Sequence, residues 1–173
     1  MKEFSALVVV RTPPERLFAT MRDRLPELVA TLSDIEKVDP LERRDEDDAL
    51  LVVNRWHARQ TIPKLLQQRL GRSRIDWLDT ARWIEPRQVC TWEIAPSLGD
   101  GALTCAGETT FEPAMGGRGT RARFAGRLDI APDYLAGVAG SFHGPVRALV
   151  ETIATTLIPA NFRAMAEQAA KLA

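Results

Sequence analysis

The chain reads as an α+β domain in which a seven-stranded curved antiparallel sheet grips a long C-terminal helix, with two short helices after the first strand. Three observations predict it. Residues from about 49 to 130 alternate apolar and polar side chains in short runs separated by Gly, Pro and acidic turns. Residues 141–172 instead repeat their apolar side chains at helical spacing, interrupted only by Pro159. Between the first strand and the rest, Thr12-Pro13-Pro14-Glu15 has the chemistry of a helix start. With 173 residues, one domain spanning 1–173 is expected, large enough to bury a core of its own.

Phe4 to Val10 is rich in β-branched residues and reads as the first strand. The helix after it is expected to take Thr12 as its cap, Pro13 as its first residue and Glu15 as the side chain reaching back, with Leu17, Phe18, Met21 and Leu25 on its apolar side. Pro26 opens a second short helix carrying Leu28, Val29 and Leu32. Ile35 to Arg44 is a weaker strand, and Asp45-Glu46-Asp47-Asp48 a solvated acidic turn before the strand Ala49 to Arg59. Ile62 to Gly71 is a short helix ended by its glycine.

Four more strands follow: Arg74 to Ile84, Gln88 to Ala95, Ala102 to Glu112 and Thr120 to Ile130. Their separators hold Pro86, Ser97-Leu98-Gly99-Asp100 and Met115-Gly116-Gly117-Arg118-Gly119, so consecutive strands are antiparallel neighbours. A four-residue loop after Ala95 would set Trp92 opposite Cys105 and Ile94 opposite Leu103. Within the final helix the apolar stripe shifts by about a quarter-turn at Pro159, which predicts a bend there. The first half of that helix is expected to cover the space over the sheet. The Gly-rich stretch from Gly137 to Gly144 is a candidate portal.

Strand alternation assigns faces. Leu50, Val52, Asn54, Trp56 and Ala58 turn inward, as do Ile75, Trp77, Asp79, Ala81 and Trp83, then Cys90, Trp92, Ile94, Leu103, Cys105, Thr109 and Phe111, and finally Phe124, Gly126, Leu128 and Ile130. Arg121, Arg123 and Arg127 turn outward, where Glu108 and Glu112 can meet them. All four tryptophans therefore share the concave side. They serve either as plain core or as the wall of a pocket. Asn54 and Asp79 interrupt that apolar face, and each either bonds locally or lines a wet cavity.

Lys+Arg and Asp+Glu both number 23, so no net field draws the chain to nucleic acid or anionic lipid. The outward arginines lack the interleaved aromatics of a nucleic-acid surface. No apolar run is long enough to form an integral membrane segment. Two cysteines and no secretion signal favour a reduced, cytoplasmic setting with free thiols. The two histidines, His57 and His143, have no metal-ligand spacing, and neither a GxSxG nor a GxGxxG motif occurs, so no metal, cofactor or catalytic motif is expected.

On the run Val10-Arg11-Thr12-Pro13-Pro14-Glu15-Arg16-Leu17-Phe18, the Gly-punctuated hairpins and the C-terminal helix, the chain resembles the START and Bet v 1-like helix-grip superfamily over nearly its whole length. That superfamily includes polyketide cyclases and uncharacterised bacterial members. The resemblance implies a cavity for a lipid, sterol, polyketide or other apolar molecule. It supplies no catalytic residue.

The candidate cavity residues are Asn54, Trp56, Trp77, Asp79, Trp83, Trp92, Phe111, Phe124, Leu128, Phe142, Val146, Leu149, Val150, Ile153 and Leu157. Three functions compete: binding or carriage of a hydrophobic small molecule; a polyketide cyclase or dehydratase using Asp79 and Asn54; and a protein-interaction module. Ligand identity and oligomeric state are not legible in the sequence.

Overall fold

Alternation along the strands produces one sheet whose concave face takes nearly all the large apolar side chains. The computed structural model describes residues 1–97, 103–136 and 139–173, without the side chains of 69 and 70. β1 (Lys2–Val10) is followed by α1 (Pro14–Asp23) and α2 (Leu25–Val29), then β2 (Ile35–Glu46), β3 (Ala49–Thr61), α3 (Lys64–Leu70), β4 (Arg74–Ile84), β5 (Val89–Pro96), β6 (Leu103–Ala114) and β7 (Gly119–Ile130). The seven strands form a single sheet in the order β1-β7-β6-β5-β4-β3-β2, antiparallel throughout. β1 thus returns beside β7, and the sheet ends on β1 and β2.

The C-terminal rod is α4 (His143–Thr152), one π-helical turn (Ile153–Leu157) and α5 (Ile158–Leu172). Pro159 cannot donate to the carbonyl of Thr155 and would clash with it in a regular helix. Widening the preceding turn relieves the clash: the Ile158 N–H bonds to the Ile153 carbonyl, five residues back. The extra residue rotates everything beyond it by about 100°, which is the predicted quarter-turn in the stripe. Val146 and Val150 are buried before the turn, and Phe162, Ala166 and Ala169 after it.

Several local expectations need correction. Thr12 does not cap α1, whose first turn follows Pro13 and has no side-chain cap. Its hydroxyl donates instead to the Ala170 carbonyl at 3.2 Å, and its own carbonyl accepts from the fully buried Thr120 hydroxyl at 2.6 Å. Long-range clasping of β7 and α5 thereby wins over a local cap.

The acidic turn is shorter than expected, because β2 continues through Asp45 and Glu46 and only Asp47-Asp48 turns, with Asp47 at φ 43. The pairing of β5 with β6 is offset by two residues: Trp92 faces Gly107, and Cys90 faces Thr109. An offset of two keeps every side chain on its expected face. Arg121 does stand opposite Glu112, but among the described residues no ion pair joins the β7 arginines to β6. Turn residues Leu98, Gly99 and Asp100, the expected strand start at Ala102, and Gly137 and Val138 of the candidate portal lie outside the described residues.

The offset has a structural consequence. It sets Trp92 opposite Gly107, whose partner on β7 is Gly126, and a Cβ on either glycine would stand 2.6 Å or 2.3 Å from the Trp92 ring. Two facing glycines therefore let the indole lie down against the sheet.

Candidate functional site

A cavity of about 290 Å³ lies between the concave face and the α5 half of the rod. Its floor is the inward row of β3, β4 and β5: Val52, Asn54, Trp56, Trp77, Asp79, Ala81, Trp83, Cys90, Trp92 and Ile94, extended by Thr109, Phe111 and Phe124. Ile158, Asn161, Phe162 and Met165 close it from α5, while Met21, Leu25, Pro26 and Leu28 close it from α1 and α2. Val38, Pro40, Glu42 and Arg43 of β2 form the rim. β2 carries an irregularity between Pro40 and Glu42, a feature an edge strand tolerates and one that bends it.

Aromatic contacts stiffen the walls. Trp92, Phe124 and Phe162 stack in series, with ring centroids 4.4 Å and 5.1 Å apart. Trp56 and Trp77, register partners on β3 and β4, stack at 6.0 Å. Phe18 meets Trp83 and Phe111 edge-on at 5.2 Å and 5.4 Å. Offset and edge-on geometries of this kind favour fixed ring positions. The cavity is thus held open by rings already packed against one another.

At the mouth, charged side chains tie α1 to its neighbours. Asp23 accepts from Arg22 at 2.8 Å and from Arg43 of β2 at 2.7 Å, and Arg22 also reaches Glu85 at 3.1 Å. The hydrogen bond from Arg22, then that from Arg43, holds the Asp23 carboxyl below the usual carboxylate range. This collar crosses from the first helix to the sheet rim.

Asp79 is the ionisable group set into the apolar wall. It stands half-buried in the middle of β4 and lines the cavity. Burial pushes its pKa up to about 7. The Trp56 indole N–H approaches closely enough to favour the ionised form slightly, yet closes no hydrogen bond of ordinary geometry. Cys90, on the neighbouring wall, is pushed well above its usual pKa, first by burial and then by the Asp79 charge, so its thiol is unreactive at neutral pH. His57 lies away from the cavity, 2.9 Å from Asp39. Among the described residues no three His, Cys, Asp or Glu side chains gather to hold a metal ion, and no helix is long and apolar enough to cross a membrane.

The candidate residues divide into two groups. Asn54, Trp56, Trp77, Asp79, Trp83, Trp92, Phe111 and Phe124 line the cavity. Leu128, Val150 and Ile153 surround only a second void of about 10 Å³, while Phe142, Val146, Leu149 and Leu157 line neither space and pack against the core. The expectation that the first half of the helix covers the cavity is therefore reversed. Branched aliphatics of α4 and the π turn fit closely against Ile75, Cys105 and Leu128, whereas at the other end α1 and α2 bridge α5 to β2 and leave the hollow beneath.

Sequence reasoning missed Asn161, Phe162 and Met165 of α5 and the rim residues of α1, α2 and β2. The shift of stripe at Pro159 was the one signal that pointed to α5.

No protein-family model matches the sequence, and no curated protein matches it. Solved structures match its fold. TTHA0849 from Thermus thermophilus is similar at a TM-score of 0.65 and 20% identity, over 99% of this chain and 98% of that one. The Zhui aromatase/cyclase from a Streptomyces species is similar at 0.62 and 15% identity, over 97% and 93% of the two chains. Ara h 8.0201 is similar at 0.57 and 16% identity, over 98% of each. Likeness at these identities establishes the arrangement of sheet and rod as the START and Bet v 1-like helix-grip fold.

Proposed function

We propose, from the helix-grip fold shared with these structures, that the chain binds a hydrophobic small molecule such as a lipid or polyketide between sheet and α5. The observation that carries this reading is the hollow itself, about 290 Å³ walled by aromatic rings and open at the α1–β2 rim. Close-packed protein interiors leave few voids larger than a water molecule, and concave apolar sites near this size hold small ligands. Native mass spectrometry of freshly purified protein tests it. A co-purifying mass that disappears in Ala81→Trp, which fills the floor, is the expected result. No bound mass in the wild type, before or after incubation with long-chain alcohols and fused-ring aromatics, would sink the reading.

A second reading, an enzyme of the polyketide cyclase or dehydratase type, has one observation of its own. A carboxyl whose pKa stands at about 7 inside the cavity can give or take a proton at neutral pH, and Asn54 beside it can hold a substrate carbonyl. Asp79→Asn should then abolish conversion of a linear poly-β-ketone thioester while leaving its binding intact. Unchanged product formation in that variant would remove Asp79 from any chemistry.

A further inference from the structure

Binding a hydrocarbon would not require the polar pair in the cavity floor. Asn54 and Asp79 are register partners on β3 and β4, so their side chains leave the sheet side by side on one face. Both reach the cavity. Asn54 is only 4% exposed; among the described residues it closes no hydrogen bond with another protein group, and Asp79 is met only by the Trp56 indole N–H, which approaches it without closing a hydrogen bond of ordinary geometry. Polar groups buried this way are normally paired, and leaving them unpaired is costly.

Among the described residues no cation answers Asp79. The cationic side chains that line the cavity, Arg22 and Arg43, stand at the mouth and are taken up by Asp23 and Glu85. The rest of the floor around the pair is Trp56, Trp77, Ala81, Val52 and Ile94, none of which offers Asp79 a counter-charge. From the opposite side α5 presents Asn161, buried at 8% exposure and also lining the cavity.

We infer that Asn54 and Asp79 form a recognition site for one hydrogen-bonding oxygen, a carbonyl or hydroxyl, on an otherwise apolar and uncharged ligand. The inference rests on the binding function proposed above and names the class of molecule. An anionic group would meet a carboxyl with no counter-ion. A buried cation would need that carboxyl ionised, which its burial opposes. A carbonyl takes a hydrogen bond from the Asn54 amide or from protonated Asp79, and a hydroxyl gives one to either side chain. The aromatic walls meanwhile hold the apolar body of the ligand.

The test is calorimetric titration of the full chain with four compounds of one skeleton: tetralin, α-tetralone, α-tetralol and 2-aminotetralin. The ketone and the alcohol are expected to bind about tenfold more tightly than the hydrocarbon, as one satisfied buried hydrogen bond implies. Asn54→Leu and Asp79→Leu should each shrink that preference, and saturable binding of tetralin by the same variants shows that they are folded. Asp79→Asn, which keeps hydrogen-bonding atoms, should retain most of it, and Asn54→Leu carries the test if Asp79→Leu does not fold. Equal binding of all three neutral compounds to the wild type, an undiminished preference in the leucine variants, or tightest binding of the amine would each overturn the inference. If none of the four binds, the cavity-binding function itself fails, a distinct outcome from binding without preference.

Discussion

The two halves of the C-terminal rod meet the same sheet with opposite results. Along α4 and the π turn, Val150 and Ile153 settle against Ile75, Cys105 and Leu128, and the void left is about 10 Å³, room for about one water molecule. Along α5, Phe162 and Met165 face rings and polar groups across about 290 Å³. The difference teaches that the helix-grip arrangement does not by itself make a pocket. A hollow appears where α1, α2 and stacked rings prop the rod, and it closes where aliphatic side chains interdigitate.

The sharpest way to break this contrast is to truncate one residue at each end. Leu128→Ala, at the filled end where the side chain is 2% exposed, should cost about 2–5 kcal/mol in denaturant unfolding. Met165→Ala, on the cavity wall, should cost well under about 2 kcal/mol, because its neighbours already border empty space. Equal losses would mean that the two ends are packed alike.

Asp79 gives the next largest effect. Its folded pKa of about 7 lies above the value of about 3.9 expected in the unfolded chain. As pH rises the unfolded state releases its proton first, so stability falls between about pH 4 and pH 7 and then levels off. Asp79→Asn should remove that decline, gaining at most about 4 kcal/mol at pH 8 and almost nothing at pH 3. Water in the cavity reduces the gain, and a pH profile identical to the wild type would show that the carboxyl is not set into an apolar wall.

A smaller change is expected at the glycine pair. Gly126→Ala would press a methyl group against the Trp92 ring and should cost about 1–3 kcal/mol through overpacking, with a shift in tryptophan emission. Smallest of all, Arg43→Ala cuts an exposed tie across the mouth and should change stability by less than about 1 kcal/mol. Stopped-flow release of a bound dye should nevertheless quicken, since the collar then no longer joins β2 to α1.

The sequence made the strands and their inward faces legible because a period of two survives errors in loop length: the pairing of β5 with β6 slipped by two residues, yet Trp92 and Phe111 still face the cavity. It could not show Thr12 abandoning the local cap for Ala170 and Thr120, because both partners are more than a hundred residues away in the chain. Pro159 signalled a break in the rod. That the break is a widened turn which brings Asn161 and Phe162 over the hollow depends on how the rod seats on the sheet. Asn54 and Asp79 stood out as polar residues on an apolar face, but their lack of hydrogen-bond partners is a property of the assembled wall.

Fluorescence titration with the neutral dye N-phenyl-1-naphthylamine tests the central claim most directly. Saturable one-to-one binding that quenches tryptophan emission in the wild type and is lost in a folded Ala81→Trp variant is the predicted result. Identical titrations for the two proteins would contradict the account, because the dye would then sit somewhere other than the hollow under α5.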